Sequence, residues 1–213
     1  MENLKHLERL YLEAIDVSDL SPLRDLKNLK VLSLSLTNVS DLTPLKDLPD
    51  LQVLTLSLTN VTDISSLENL VNLVELYLGA TDVSDITPLV SLRNLLHLDL
   101  RETNVSDIRP LENLKALQEL DLMNTKVSTV SPLRSLTHLR QLNLGGTDVL
   151  DLSPLVDLKH LEILNLYQTA VSDLSPLKTL PELKVLHIEN TYVPTEDKVV
   201  ISLEKKGVKV FGP

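Results

Sequence analysis

From Leu29 the chain places apolar residues at Leu29, Leu32, Leu34, Val39, Leu42, Leu45 and Leu48, with mostly polar residues between them. Two spacings alternate in that stretch. The step of two from Leu32 to Leu34 suits a short strand that points alternate side chains to one face. The steps of three through Leu42, Leu45 and Leu48 suit a 3-10 or tight helical turn. Between them stands a hydroxyl residue followed by proline: Ser21-Pro22, Thr43-Pro44, Thr87-Pro88, Ser131-Pro132, Ser153-Pro154 and Ser175-Pro176. That pair predicts a helix start, with Ser or Thr capping the free N–H groups and proline at the first helical position. Ser65-Ser66 and Arg109-Pro110 each keep half of the device.

The unit recurs. Thr37 has counterparts at Thr59, Thr81, Thr103, Thr125, Thr147, Thr169 and Thr191, each 22 positions from the last. One step back from Thr37 falls on Ile15, so nine frames run without an insertion or deletion. A strand, a turn and a short helical segment make one coil. A single coil cannot bury its own leucines, so stacking of neighbours must supply the core.

Composition narrows the picture. Hydrophobic residues make up 43% of the 213-residue chain, yet aromatics make up 2%, with one Phe and no Trp. Such a core is one aliphatic layer repeated many times. No apolar run approaches the ~18 residues of a membrane span, and the N-terminus MENLKHLERL carries charges where a signal peptide needs an apolar stretch. Cytoplasmic placement is the default expectation, one that a fragment cut from a secreted or surface protein would equally satisfy. The absence of Cys excludes disulfides and thiolate metal sites. A net charge of -10 argues against nucleic acid, whose phosphates require clustered Lys and Arg, and leaves a basic protein partner open.

The string L-x-x-L-x-L-x-x-T-x-V-x-D-L-x-P-L resembles the leucine-rich-repeat family, in particular its bacterial internalin-like subclass with 22-residue units. The resemblance implies an α/β fold: a leucine-rich-repeat solenoid with a parallel β-sheet on the concave face and short 3-10 or helical turns on the convex face. It implies protein recognition and no chemistry of its own. One departure is clear. The family has Asn where this chain has Thr, an Asn whose amide bonds backbone groups of neighbouring coils. Thr has one hydroxyl and serves fewer partners, so a thinner ladder is expected and the Thr column is read as structural.

The two ends differ. Residues 1–193 hold the nine repeats, and residues 194–213 read as a C-terminal capping helix and strand. Thr195 is placed to cap that helix, with Glu196 and Asp197 in its first turn, Lys205 and Lys206 in its last and Gly207 at its C-terminal cap. Val208 to Phe211 then reads as a final edge strand. At the other end Met1, Leu4 and Leu7 align with Leu23, Leu26 and Leu29, so the chain begins inside a repeat. The first strand, around Arg9 to Leu12, is expected to be an exposed edge, through which two copies would associate unless Arg9 and Glu13 discourage pairing.

The resemblance implies that outward side chains of the concave strands meet a partner, in the columns of Val31, Ser33, Ser35 and Leu36. Those columns hold three of the four tyrosines, Tyr11, Tyr77 and Tyr167, a residue type that interfaces favour. They also carry Glu13, Glu75, Asp99, Glu102, Glu119, Asp121 and Glu189 against Arg9 and Arg101. A partner with a basic patch is therefore expected. The densest chemistry is central, and the candidate partner-binding residues are Tyr77, His97, Asp99, Arg101, Glu119, Asp121, Met123, Asn143 and Tyr167.

Chemical alternatives are weaker. Asp99 and Asp121 should face one another on adjacent strands, roughly 5 Å apart at the backbone, and His97 with Glu119 nearby suggests a cation site. A shallow open sheet does not exclude water, however, and Arg101 stands ready to neutralise the pair. No nucleophile motif and no Gly-rich phosphate loop is present, and only five Gly occur. The expectation is no catalytic residue, no metal and no cofactor. His6, His138 and His160 read as surface filler. Two further readings of function stand beside protein recognition: a regulatory subunit of an enzyme such as a protein phosphatase, and an engineered or orphan scaffold without a natural ligand.

Overall fold

The computed structural model describes residues 5–212. Met1 and Leu4, assigned above to the first frame, and Pro213 lie outside the described residues. Within these bounds one parallel sheet runs in chain order. Its strands are β1 (Arg9–Tyr11), β2 (Val31–Ser33), β3 (Val53–Thr55), β4 (Glu75–Tyr77), β5 (His97–Asp99), β6 (Glu119–Asp121), β7 (Gln141–Asn143), β8 (Ile163–Asn165), β9 (Val185–His187) and β10 (Lys209–Phe211). Register is strict: Leu32 lies opposite both Leu10 and Leu54, and every repeat strand meets its neighbour at the position 22 residues on.

The nine repeats supply nine strands, and the final edge strand read at Val208 to Phe211 brings the described total to ten. The extra one is β10, whose Val210 takes the place opposite Leu186 that a tenth repeat would fill. At ~4.8 Å per gap, ten strands make a sheet roughly 43 Å wide.

The apolar period lines the interior. Leu29, Leu32, Leu34, Val39, Leu42, Leu45 and Leu48 are all 0–2% exposed, so the seven apolar positions of this unit all point inward. The same columns continue as one cluster from Leu20 to Val208. The chain leaves the sheet at a sharp corner. Ala14, Leu36, Leu58, Ala80, Glu102, Asn124, Gly146, Gln168 and Asn190 hold φ between +53° and +67°, the left-handed region that glycine adopts without strain and other residues rarely enter. The next residue closes the corner: Thr37, Thr59, Thr81 and Thr103 each donate a hydroxyl hydrogen bond of 2.6 Å to the carbonyl three residues back.

That bond corrects one expectation. The Thr column is structural and buried, but its hydroxyls serve their own coil and make no ladder between coils. Side-chain bonds between coils lie elsewhere. Asn28 donates to the Lys5 carbonyl, Asn72 to Pro49 and Asn94 to Val71, at 2.7–2.9 Å. His138, read as surface filler, occupies the same column, with Nδ1 3.0 Å from the Lys115 carbonyl.

A second correction concerns the turns opposite the sheet. The helical segments are 3-10 and begin at the hydroxyl residue itself, as in Ser21–Leu23 and Thr43–Leu45, so Leu20 and Leu42 occupy the capping positions and supply no side-chain bond. Capping passes to the aspartate two residues ahead. Asp19 accepts from the Ser21 N–H, Asp41 from Thr43 and Asp85 from Thr87, each at 2.8 Å. The hydroxyls and then the N–H groups of those residues hold the three carboxyls below the usual carboxylate range. The Arg109 guanidinium, with its N–H, takes Asp107 to about 2.

The C-terminal helix α1 (Lys198–Lys205) shows the same transfer of the capping role from a hydroxyl residue to an aspartate. Asp197, not Thr195, is its cap, accepting from Val199 and Val200. Gly207, at φ +91°, ends the helix in the left-handed conformation expected of it. Val199, Val200 and Leu203 are buried, and β10 follows.

Two outcomes are expected. Thr103→Val keeps shape but strands the Leu100 carbonyl, and should cost about 1–3 kcal/mol in urea unfolding; no measurable loss would mean that water reaches that carbonyl. The capping aspartates, with folded pKa values lowered, stabilise the fold above pH ~4 and lose that contribution as pH falls through the acid range below it. The unfolding midpoint of wild type should therefore drop across this window. A variant with Asp19→Asn, Asp41→Asn and Asp85→Asn should show a shallower drop, and an unchanged slope would place the acid sensitivity in other groups.

Candidate functional site

Strands β4 to β9 bring their outward side chains into one hollow of about 400 Å³. Its middle row steps across the sheet as Tyr77, Asp99, Asp121, Asn143, Asn165 and His187, each the register partner of the next. One local bond pins the central four. Asp99 Oδ1 accepts from the Arg101 N–H at 3.0 Å, Asp121 from Met123 at 2.9 Å, Asn143 from Gly145 at 3.1 Å and Asn165 from Tyr167 at 2.8 Å. An asparagine that turns its carbonyl oxygen to the backbone must turn its NH₂ the other way. The row thus presents carboxylate oxygens over β5 and β6 and amide donors over β7 and β8.

The flanking row adds directed pairs. His97 Nδ1 lies 3.1 Å from Glu119 Oε2, and Gln141 Nε2 donates to Glu119 Oε1 at 3.1 Å. Tyr77 donates to Glu75 Oε2 at 2.9 Å; burial, and then that bond, push the phenol up to about 12. Asp99 is 8% exposed, with Arg101 Nε 3.3 Å from its Oδ2. Burial raises its pKa, and the Arg101 N–H and guanidinium only partly oppose that. The expected opposition of Asp99 and Asp121 is therefore present, but the pair is unequal: one carboxyl is buried and paired with Arg101, the other more open.

Of the nine candidate residues, Tyr77, His97, Asp99, Arg101, Glu119, Asp121 and Asn143 line the hollow. Met123 and Tyr167 do not; they sit two residues further along, on either side of Gly145. Gln141, Ile163, Asn165 and His187 line it without having been singled out. Asn165 and His187 were legible, since they continue the column of Asp99 at 22-residue steps. No group of three His, Cys, Asp or Glu among the described residues is arranged to hold a metal ion.

Residues 93–135 and 115–157 match the family model of leucine-rich repeats, in two overlapping copies. An internalin (inlF) of Listeria monocytogenes superposes with a TM-score of 0.93 at 32% identity, over 98% of this chain and 61% of that one. An internalin C2 of the same organism gives 0.84 at 29% identity, over 100% and 83%. The repeats are leucine-rich repeats of the internalin-like kind. It spans about three fifths of the first of those internalins. The ectodomain of an Arabidopsis thaliana receptor kinase, solved in complex with Casparian strip integrity factor 2, shares the fold at 20% identity and a TM-score of 0.75, over 86% of this chain and 24% of that one. No curated protein matches the chain by sequence. Leucine-rich-repeat proteins generally mediate protein–protein interaction, and the internalin-like fold is typically non-enzymatic. None of the described helices of this leucine-rich-repeat protein is long and apolar enough to cross a membrane.

The unequal pair generates a test. A carboxyl whose folded pKa is raised is favoured protonated, so Asp99 stabilises the fold at low pH and costs stability as pH rises above ~4. Asp99→Asn keeps the acceptor for the Arg101 N–H and removes the buried charge. Its urea midpoint at pH 7 should equal or exceed that of wild type, with the difference vanishing towards pH 3. A clear loss at pH 7 would show that the Arg101 pair outweighs desolvation.

Proposed function

We propose that this protein is a non-catalytic recognition module that binds a protein partner through the outward face of β4 to β9, the partner presenting basic side chains. The pinned row of Asp99, Asp121, Asn143 and Asn165 carries the reading. Each of these side chains spends one oxygen on the backbone two residues on, so its remaining polar atom is held in place before a partner arrives. Fixed groups lose little rotamer entropy on binding. Arg101 reaches Asp99 but not Asp121, which together with Glu119 leaves net negative charge in the hollow. Opposed charge steers encounter and fixes register more than it sets final affinity. Met123 and Tyr167 lie at the margin of the hollow, where they would add apolar contact around a polar centre.

The family resemblance supports the class of function, and the receptor ectodomain bound to a protein factor is one example of it at the level of fold. Catalysis finds no support in the geometry: Asp99, the carboxyl of the hollow whose pKa burial raises, is already engaged by Arg101 and a backbone N–H.

The test is affinity capture by wild type beside a variant carrying Glu119→Lys, Asp121→Asn and Gln141→Lys. Asp121→Asn retains the acceptor for the Met123 N–H, and the other two side chains are solvent-facing, so circular dichroism and the unfolding midpoint should stay close to wild type. A partner held by wild type should be weakened at least tenfold by the variant, and wild-type capture should decline as salt rises. Equal capture by both proteins would remove this face from the interaction.

A further inference from the structure

The left-handed corner column holds an anomaly. Its later members are Glu102, Asn124, Gly146, Gln168 and Asn190, all polar or glycine, whereas Leu36 and Leu58 stand at two adjacent corners. Leucine disfavours that conformation, in which asparagine and glycine are at ease. Nor does burial compensate, because Leu36 and Leu58 are 56% and 54% exposed. The corners are hydrogen-bonded in line: the Leu36 N–H donates to Ser57 and the Leu58 N–H to Gly79, which carries the ridge from Ala14 to Ala80 at one strand spacing per step. Ile15, 48% exposed, extends it.

The corner segments themselves carry charge of one sign. The corner segments 14–20, 36–42, 58–64 and 80–86 contain Asp16, Asp19, Asp41, Asp63, Asp82 and Asp85 and neither Lys nor Arg. The residues that Asp19, Asp41 and Asp85 cap hold their carboxyls below the usual carboxylate range.

We infer that the Leu36–Leu58 ridge is a second docking surface, separate from the hollow, and that it takes a basic amphipathic helix of a protein partner. Side chains one turn apart on a helix are ~5–6 Å from each other, close to the ~4.8 Å step between corners. Two apolar side chains of the helix would lie against Leu36 and Leu58, and Lys or Arg on its flanks would meet the aspartates. An anionic membrane would be repelled by the same charges.

The probe is a fluorescein-labelled 18-residue Leu/Lys amphipathic helix, followed by fluorescence anisotropy with the full chain. Wild type should bind it, and a Leu/Glu helix of the same pattern should not bind. Leu36→Asn with Leu58→Asn should weaken binding at least tenfold while leaving the urea midpoint unchanged or raised, since Asn suits the corner. Asp16→Asn with Asp82→Asn should weaken binding and flatten its salt dependence. Full binding by the double Asn-for-Leu variant would overturn the inference. So would a lowered midpoint, which would make the leucines structural, equal binding of the Leu/Glu helix, or association with phosphatidylserine vesicles in place of the peptide.

Discussion

Everything in this molecule depends on getting the chain out of the sheet every 22 residues without leaving a buried carbonyl unpaired. The corner that does so combines a backbone conformation that most residues avoid with a threonine hydroxyl that returns to the carbonyl three positions earlier. A buried peptide group without a partner costs more than a typical hydrogen bond contributes. The corner must therefore repeat with little variation, and once it does, the strands that precede it fall into exact lateral alignment. Leucine packing follows from that alignment, since each buried column stacks aliphatic side chains at the same height in successive coils.

Polar capping is distributed around this frame by column. Aspartates receive the N–H groups at the start of each 3-10 segment, asparagines tie one coil to the next on the way into the strand, and threonines close the corner. These columns leave the outward strand positions free of structural duty, apart from the single oxygen that Asp99, Asp121, Asn143 and Asn165 lend to the backbone. Variation accordingly concentrates there, in the hollow and at the corner tips.

Much of this was legible in the residues. The period fixed the strands, the inward leucines and the opposition of Asp99 to Asp121, and Gly207 marked the helix end. Partner choice among short polar side chains was not legible. Ser, Thr and Asp all make acceptable caps, so Thr43 and Thr195 drew attention that belonged to Asp41 and Asp197; which oxygen meets the N–H depends on where the first helical φ falls, a matter of one or two residues. The hollow shows a similar limit. Register placed Met123 and Tyr167 on the outward face, but the lean of a side chain along its strand decides whether it enters the hollow, and spacing alone carries no such direction. Asn165 and His187 were missed for another reason: weight was given to the centre of the sheet, whereas the column continued past it onto β8 and β9.

The strict register has one further consequence. Because each coil meets the next through the same corner, the same buried columns and the same strand pairing, a coil is an exchangeable part. Whole units can be duplicated, deleted or shuffled by recombination within the gene, and the junctions will fit without new compensating changes. The face turned outward can thus be re-dealt in blocks of one strand, lengthening or recomposing a recognition surface while the scaffold that carries it stays the same.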